Sequence, residues 1–492
     1  MMFAVEPRDE YNLRLLAQVH PANWVNPKPA PRYHLVVIGA GTGGLVTAAG
    51  AAGLGAKVAL IERHLMGGDC LNVGCVPSKT LIAAARETSA DLHQANFAKV
   101  MERVRKTRAE IAPQDSAQRF QQLGIDVFFG EGRFVDGEII EVDGKRLRFA
   151  RAVIATGARA ATLPMPGLAD AGYLTNETVF NLTRLPRRLG VIGGGPIGCE
   201  LAQAFLRLGS EVTLIQSAPR LLPREDSDAA EVVQRQFAAE RMQLVLSAKT
   251  QAVVARGTGK LIEIEAPAGS ASVEVDDILL AVGRAPNVQD LNLEAAGIEY
   301  ESHDGVKVDD HLRTTNPRVY AAGDVCMRWK FTHAADFAAR IVIQNALFLG
   351  RKRLSALNVP CCTYTDPELA RTGLGLEESE KQGISIDVWR RDWSEVDRAR
   401  AEADTNGFVR ILTKKGTDKI LGATIVGSHA GEMISEISVA MAAGMGLGKL
   451  ARVIHPYPTR AEVLRQLGDA YNRTRLTPRV RKWLVRWLKW TC

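Results

Sequence analysis

The first long apolar stretch of the chain, residues 35–61, carries a single charge, Lys57. With the preceding His34, its first residues form a run at 34–38 that has the length and bulk of a buried strand. Glycines cluster after that run and break the stretch again at Gly53, so it does not fit a membrane-spanning helix. The pattern predicts a strand, a glycine-rich turn and a helix at 39–54, and the preceding thirty residues, ending NPKPAP, predict an extended arm.

The same strand, turn and helix pattern recurs at 193–208. In both copies a Gly-x-Gly-x-x-Gly motif lies between strand and helix, at Gly39, Gly41 and Gly44 and at Gly193, Gly195 and Gly198. The first glycine makes the turn, the second lets the backbone approach a pyrophosphate, and the third lets helix and strand pack. The helix N-terminus adds the positive end of a dipole. Two copies at matching spacing predict two dinucleotide-binding domains.

The residue that ends the second strand of each copy distinguishes the ligands. Glu62 is placed to accept a hydrogen bond from an adenosine ribose 2′-hydroxyl, as in a site for FAD or NAD. Gln216, its counterpart, cannot repel a 2′-phosphate, and the nearby Arg220 could attract one. The second site is therefore predicted to favour NADPH over NADH, although Gln216 could instead be a solvated strand end.

Length and composition set the class of protein. The 492 residues predict about three or four domains, and 46% hydrophobic with 24% charged residues is typical of a soluble globular protein. Seven cysteines are spread along the chain, and the N-terminus has acids where a signal peptide needs an apolar core. We therefore expect a cytoplasmic protein with reduced thiols, in which any disulfide has a redox role.

Two cysteines lie in the stretch GGDCLNVGCVPSK, at Cys70 and Cys75. A zinc site would need a second pair of ligands, and no such pair lies at suitable spacing, so no metal site is predicted. A purely structural disulfide is disfavoured in a reducing compartment, which leaves a redox-active pair. Pro77 suits the first turn of a following helix, so Cys75 lies near a helix N-terminus and should have the more acidic thiol.

Six stretches together give the chain a family resemblance. They are the cysteine stretch, the two glycine motifs, ATG at 155–157, AVGRAPN at 281–287 and YAAGDV at 320–325. With these, residues 33–470 resemble the class I pyridine nucleotide–disulfide oxidoreductases, which include glutathione reductase, dihydrolipoamide dehydrogenase and mercuric reductase. The resemblance implies an α/β fold with two Rossmann-like three-layer dinucleotide-binding domains and a C-terminal α+β dimerisation domain.

The resemblance also implies domain boundaries and partners. We expect an N-terminal arm at 1–32, a discontinuous FAD-binding domain at 33–160 and 285–355, an NAD(P)H-binding domain at 161–284, a dimerisation domain at 356–472, and a basic tail at 473–492. The implied assembly is a homodimer with active sites shared between its chains. The implied cofactors are FAD and NADPH or NADH.

Residue roles carry over from the family by motif position. Cys75 would be the thiolate nearest the flavin, Cys70 the thiol that attacks substrate, and Lys79 and Glu200 the pair beside the flavin N5 edge. Asp324 would hold the ribityl chain. The remaining positions assigned to cofactor binding are the six motif glycines and Glu62, Thr156, Gly157, Gln216, Arg220, Gly283 and Gly323.

One position departs from the disulfide-reducing members. In them a histidine stands directly before Pro-Thr and five residues before a glutamate, where it shuttles protons. This chain reads IHPYPTRAE, so Tyr457 holds that position, Glu462 is the glutamate, and His455 is two residues out of register. A phenol with an ordinary pKa near 10 is a poor base at neutral pH. Mercuric reductase is similar in having a tyrosine there, because a thiophilic metal ion needs sulfur ligands more than proton transfer.

The other cysteines fit mercuric reductase less well. The vicinal cysteine pair that mercuric reductases carry near the C-terminus is replaced by a single Cys492. A second vicinal pair, Cys361 and Cys362, falls on a predicted strand, where successive side chains point to opposite faces and would not readily chelate one ion. We interpret that pair, Cys199 and Cys326 as packing residues.

The net charge of +7 is located in the tail. Residues 472–492 hold seven cations and no acid, and the rest of the chain has 62 − 7 = 55 cations against 55 acids. On a helix Trp483, Trp487 and Trp490 would share one face and the cations another, as in helices that lie on anionic membranes. The alternative, which the sequence favours, is that the tryptophans dock on the protein's own surface or on its dimer partner. Nucleic acid is not expected, because no fold for binding it accompanies the cations.

These patterns predict an enzyme that passes electrons from NAD(P)H through FAD to the Cys70/Cys75 disulfide and on to a substrate. The active-site pattern is mercuric reductase-like, and dihydrolipoamide dehydrogenase or another NAD(P)H:disulfide reductase is the alternative. An alternative of another class is a membrane-recruited flavoprotein partner with little turnover, peripheral on the inner face of the membrane. The intact cysteine pair, Lys79 and Glu200 argue against lost chemistry.

Overall fold

A computed structural model describes residues 4–89, 96–257 and 259–491. It divides into two compact units, the first made of Met1–Ser217 and Ala248–Leu357 and the second of Ala218–Ser247 and Asn358–Cys492. No helix within the described residues is long and apolar enough to cross a membrane.

The strands, in chain order, are β1 Tyr33–Ile38, β2 Val58–Glu62, β3 Asp126–Phe129, β4 Arg133–Phe134, β5 Ile139–Val142, β6 Lys145–Ile154, β7 Ala158–Ala160, β8 Arg188–Ile192, β9 Glu211–Ile215, β10 Gln243–Val245, β11 Lys249–Arg256, β12 Gly259–Ala266, β13 Gly269–Val275, β14 Asp277–Leu280, β15 Arg284–Pro286, β16 Tyr300–Glu301, β17 Gly305–Val306, β18 Val319–Ala321, β19 Cys361–Thr363, β20 Glu368–Gly373, β21 Ile386–Asp392, β22 Phe408–Lys414 and β23 Ile420–Gly427.

The α-helices are α1 Glu10–Val19, α2 Thr42–Gly53, α3 Gly68–Asn72, α4 Cys75–Ser89, α5 Phe97–Ile111, α6 Ala117–Gln122, α7 Leu168–Ala171, α8 Pro196–Arg207, α9 Ser227–Ala239, α10 Thr332–Leu347, α11 Leu376–Lys381, α12 Asp397–Ala401, α13 Ala430–Ala442, α14 Leu447–Leu450, α15 Glu462–Thr474 and α16 Pro478–Thr491. Short 3₁₀ helices lie at Ala112–Asp115, Val179–Asn181, Leu293–Ala296, Leu354–Ala356 and Trp393–Glu395.

The first unit is built on a parallel sheet in the order β3-β2-β1-β6-β18, which the antiparallel strands β5 and β4 extend from the first half of β6. A second parallel sheet contains β9, β8 and β14, and β11, β12 and β13 form an antiparallel sheet. Both predicted strand–turn–helix copies are present, as β1 with α2 and as β8 with α8. The α/β fold with Rossmann-like halves is confirmed.

The third glycine of each motif sets how closely helix and strand approach. A Cβ built on Gly44 would lie 1.7 Å from the carbonyl oxygen of Gly39, and one on Gly198 would lie 1.9 Å from that of Gly193. No other residue fits at such distances, so each motif brings its helix N-terminus against the carboxyl end of its strand.

The second unit contains an antiparallel sheet in the order β19-β20-β23-β22-β21. Helices α13, α14 and α15 contribute buried apolar side chains to a core shared with this sheet, in which Trp393 is fully buried. The Trp393 indole donates to the carbonyl of Val426 at 2.6 Å, so the polar edge of this large side chain is satisfied inside the core.

The prediction of an extended N-terminal arm is wrong for residues 10–19, which form α1. Asp9 caps this helix by accepting from the backbone N–H of Asn12 at 3.0 Å, and Leu15 and Val19 are fully buried. Helix α1 packs against α5, where Asp9 forms an ion pair with Arg105. Burial of the apolar face of α1 and the Asp9–Arg105 ion pair stabilise this helix in the folded protein.

Candidate active site

The two predicted redox cysteines lie on either side of a tight turn in the first unit. Cys70 is on α3, Cys75 is the first residue of α4, and Gly74 lies between them. A Cβ on Gly74 would come within 2.8 Å of the carbonyl oxygen of Asp69, so the turn requires glycine. The turn places Cys75 at the N-terminus of a helix, where the dipole favours a thiolate.

The two thiols differ strongly in acidity. A hydrogen bond from Cys70 is the main cause that lowers the pKa of Cys75 to about 6, and Thr332 and Lys79 add to it. Cys75 as a residue is exposed to solvent, but its sulfur is surrounded by protein atoms, and this burial opposes the lowering of its pKa. The Cys75 sulfur lies 3.4 Å from the Thr332 hydroxyl oxygen. The same hydrogen bond, followed by burial, raises the pKa of Cys70, so Cys70 holds the proton and Cys75 carries the charge.

This hydrogen bond gives a test by titration. In the reduced protein, Cys70→Ala should move the pKa of Cys75 from about 6 toward the ordinary thiol value of about 8.5, because the main donor to the thiolate is lost. The ultraviolet absorbance of the thiolate against pH measures the shift. Cys70→Ser, which keeps a donor, should move it less. An unchanged titration in Cys70→Ala would show that the helix and Lys79 account for the acidity.

Lys79 and Glu200 form an ion pair beside this helix. The Lys79 ammonium lies 2.7 Å from a Glu200 carboxylate oxygen, and Glu200 is nearly buried on α8. Lys79 stands one turn after Cys75 on α4, so its charge is on the same side of the helix as the thiolate. The structure therefore brings together Cys70, Cys75, Lys79 and Glu200, the four predicted catalytic residues of the first unit.

Side chains from outside the cysteine stretch hold its backbone in place. Arg108, almost fully buried on α5, donates to the carbonyl of Asn72 at 2.8 Å and to the side chain of Asn12 at 2.9 Å. Asn176 donates to the carbonyl of Val73 at 3.3 Å. The carbonyls of Asn72 and Val73, at the C-terminal end of α3, are thus satisfied, and α1 supports the segment through Asn12.

Arg284 connects three of the motifs. It forms an ion pair with Asp69, next to Cys70, and its Nε lies 3.3 Å from a carboxylate oxygen of Asp324. Burial raises the pKa of Asp324, and the positive charge of Arg284 opposes that rise. Arg284 therefore fixes the predicted FAD carboxylate relative to the cysteine stretch.

The predicted residues near the C-terminus lie in the second unit. Tyr457 is 71% exposed and its hydroxyl donates to Asp397 at 3.2 Å, a hydrogen bond that raises the pKa of the phenol. The His455 side chain is nearly buried, with Nε2 3.0 Å from Glu436. Glu462 opens α15 and pairs with Arg465 at 2.6 Å. The position expected for a proton-shuttling histidine is therefore held by the exposed Tyr457, and His455 lies against Glu436 instead.

Comparison with known proteins identifies the family. The family model described as pyridine nucleotide-disulphide oxidoreductase matches residues 33–339, and its dimerisation domain matches residues 359–467. The chain belongs to the pyridine nucleotide–disulfide oxidoreductase family. This oxidoreductase family uses FAD and NAD(P)H with a redox-active disulfide, and the dimerisation domain supports a homodimer.

Individual relatives of this oxidoreductase differ in substrate. This chain is 34% identical in sequence to a mercuric reductase of Lysinibacillus sphaericus, over 90% of this chain and 83% of that protein. It is 31% identical to a dihydrolipoyl dehydrogenase of Staphylococcus aureus over 88% and 95%. One similar solved structure is the Cu(II) complex of the HOCl-induced flavoprotein disulfide reductase RclA from Escherichia coli. Its sequence is 30% identical and its TM-score is 0.81, and the match covers 88% of this chain and 98% of RclA.

The residues of the oxidoreductase that would hold FAD fit that cofactor. A cavity of about 60 Å³ lies at the carboxyl ends of β1 and β2 and is lined by Gly39, Glu62 and Thr156. The Glu62 carboxylate accepts one hydrogen bond from each of the backbone N–H groups of Ala40 and His64, at 2.7 Å, and keeps lone pairs for a ribose hydroxyl. Burial raises the pKa of Glu62, and those N–H groups oppose the rise.

The second glycine motif fits a second dinucleotide. A Cβ on Gly195 would meet no atom within 4 Å, so open space lies over the N-terminus of α8. Gln216 is nearly buried and accepts from the N–H of Gly194 at 3.2 Å, which contradicts the alternative of a solvated strand end. In the second unit, Arg220 is paired with Glu377 at 2.8 Å.

Sequence reasoning missed Arg284, Asp69 and Thr332. A cation inside the AVGRAPN motif was a signal for Arg284, whereas nothing near Thr332 in sequence indicated contact with Cys75. Cys199 is fully buried, as the packing interpretation predicts. Within the described residues no cluster of three or more His, Cys, Asp or Glu could hold a metal ion, and Cys492 lies outside those residues.

Proposed function

We propose that this oxidoreductase uses NAD(P)H to reduce a thiophilic metal ion through the Cys70/Cys75 pair, as a mercuric reductase-like enzyme. The observation that carries the proposal is Tyr457, which occupies the position of the proton-shuttling histidine and donates its hydroxyl to a carboxylate. The mercuric reductase relatives and the Cu(II) complex of RclA support the same substrate class.

The proton requirement separates the candidate substrates. Reduction of a disulfide needs protons delivered to its leaving thiolates, and a group with a pKa near neutrality does this best. The pKa of Tyr457 is raised, so its phenol stays protonated at neutral pH and is a poor proton acceptor. His455 is two residues out of register with the expected position. A metal ion held by sulfur needs no such base, because thiolates are its ligands.

The residues of the site have separate roles in this reaction. FAD, when bound, would supply the ability to accept a hydride from the nicotinamide and to pass two electrons to the disulfide. Cys75 retains its charge through the hydrogen bond from Cys70 and the nearby Lys79. Cys70, as the protonated partner, is the thiol that gives up its proton on binding the metal ion. One NAD(P)H then reduces one Hg²⁺ by two electrons or two Cu²⁺ by one each, releasing a proton.

The preference for NADPH is part of the same proposal. Gln216 places a neutral amide where a carboxylate would repel a 2′-phosphate. The cation of Arg220 is paired with Glu377, so the preference rests on Gln216. Steady-state kinetics with both nicotinamides, over Hg²⁺, Cu²⁺, lipoamide, glutathione disulfide and quinones, tests substrate and cofactor together. Higher kcat/KM for either disulfide than for both metal ions would reject the metal-ion assignment.

A histidine at position 457 should restore disulfide chemistry. We expect Tyr457→His to raise kcat/KM for lipoamide or glutathione disulfide by about tenfold or more, since a placed general base contributes 10²- to 10⁴-fold. Metal-ion reduction should change little. The matched control is Tyr300→His, because Tyr300 also donates to a carboxylate, Glu294, at 2.6 Å. Unchanged or lower rates with both disulfides would show that Tyr457 does not decide the substrate.

A further inference from the structure

The C-terminal helix α16 buries none of its residues. Its apolar side chains are exposed along one face, with Trp483 at 62%, Trp487 at 49% and Trp490 at 78%. The three indoles follow one another along that face, at centroid distances of 5.9 Å from Trp483 to Trp487 and 5.4 Å from Trp487 to Trp490. Of the two docking sites expected from the sequence, the protein's own surface is therefore wrong for the described residues, and docking on a dimer partner stays a prediction.

A neighbouring side of α16 is cationic. Lys482, Arg486 and Lys489 recur every three or four residues and so share one side of the helix, roughly 110° around the axis from Trp483 and Trp487. The helix contains no acidic residue, so its positive charge has no internal counterion. Tryptophan favours the boundary between lipid headgroups and acyl chains, and cations favour anionic headgroups.

The helix lies beyond the part of the chain that the family uses for dimerisation. The dimerisation model ends at residue 467, before α16 begins at Pro478. RclA is matched over 98% of its own length by 88% of this chain. The matched dimerisation domain therefore ends before α16, and no described residue of this chain buries the apolar face of that helix.

We propose that α16 binds the anionic surface of a phospholipid bilayer, with its tryptophans inserted at the interface and its cations on the headgroups. The helix is amphipathic, carries five cations and is too polar to cross the bilayer. These three properties are those of a helix that lies in the membrane interface. The physical partner is a surface with a net negative charge, because a neutral one offers nothing to the cations. Bound in this way, the enzyme would reduce its substrate next to the membrane.

Sedimentation of the full-length flavoprotein with vesicles tests the proposal. The protein should bind vesicles of equimolar phosphatidylcholine and phosphatidylglycerol and not those of phosphatidylcholine alone. Because each cation near an anionic surface contributes about a fivefold gain in affinity, the triple variant Lys482→Gln, Arg486→Gln, Lys489→Gln should bind about 100-fold more weakly. Binding should also weaken as salt is raised.

A charge-matched control distinguishes binding through α16 from binding through the net positive charge of the whole protein. The variant Arg146→Gln, Arg187→Gln, Arg235→Gln removes three exposed cations outside the tail, whose side chains are 67%, 82% and 70% exposed, and should bind like the parent. The triple variant Trp483→Ser, Trp487→Ser, Trp490→Ser should lose binding and remain dimeric. Equal losses in the charge-matched control and the Lys482/Arg486/Lys489 variant would overturn the proposal. So would dissociation of the dimer in the tryptophan variant, which would place α16 on the partner subunit.

Discussion

Replacing Cys70 with serine should lower kcat/KM for metal-ion and disulfide acceptors by about 10³-fold or more, as removal of a covalent nucleophile does elsewhere. Cys70 holds the proton of the pair and Cys75 the charge, so each thiol depends on the other for its state. Serine cannot form the disulfide and binds soft metal ions poorly. Steady-state rates with Hg²⁺, Cu²⁺ and lipoamide measure the loss.

The control for that experiment is a second cysteine of similar exposure. Cys361 is partly buried on β19, and burial raises its pKa to about 12, so its thiol stays protonated. Cys361→Ser should leave all three rates unchanged and retain flavin. If Cys70→Ser kept its metal-ion rate, electrons would reach the acceptor without the Cys70/Cys75 pair, and the proposed function would be wrong.

The parts of the site that could be predicted from sequence are those fixed by local sterics. Gly44 and Gly198 are required because any side chain there would meet the carbonyl of the first glycine of the same motif. The acidity of Cys75 follows in part from its place at the start of α4, which Pro77 signals. Such constraints act over a few residues, so they remain visible in a single sequence.

The parts that could not be predicted depend on contacts between distant residues. The hydroxyl of Thr332 reaches Cys75 across 257 positions, and Arg284 reaches Asp69 across 215. Helix α1 is anchored by the contact of Asn12 with Arg108, 96 positions away. Polar side chains at these positions look like solvated surface in sequence, because only the folded backbone brings their partners within hydrogen-bonding distance.

Tyr457 shows how both kinds of information combine. Its position directly before Pro458 and Thr459 shows, from the sequence alone, that a tyrosine stands where the disulfide reductases have a histidine. The structure adds the acceptor, Asp397, which raises the pKa of the phenol and removes the remaining case for it as a base. The substrate assignment therefore depends on a phenol in place of an imidazole at position 457, together with an intact thiol pair.

Replacing Arg284 with methionine should destabilise the protein by about 3 kcal/mol, because removing one partner of a buried ion pair leaves an uncompensated charge. The side chains of Arg284 and Asp324 are 14% and 17% exposed, and Asp324 has its pKa raised by burial even with the cation present. Chemical denaturation of the flavoprotein measures the change. Flavin should also be lost more readily, since Asp324 is the carboxylate assigned to FAD.

The loss of folding stability caused by Arg284→Met should depend on pH, and its direction can be derived. Without the cation, the pKa of Asp324 rises further above its unfolded value of about 3.9, so the native state binds a proton that the unfolded state has released. Stability is then retained below about pH 4 and lost as pH rises through the native pKa, which makes the deficit largest at neutral pH. Arg284→Lys, which keeps the charge, should recover part of the loss at neutral pH. The control is Arg188→Met, which removes a more exposed pair with Asp276, whose side chains are 32% and 34% exposed, and should cost far less at every pH. Equal losses in Arg284→Met and Arg188→Met, or a deficit that does not shrink in acid, would show that Arg284 is not holding a buried carboxylate beside the redox cysteines.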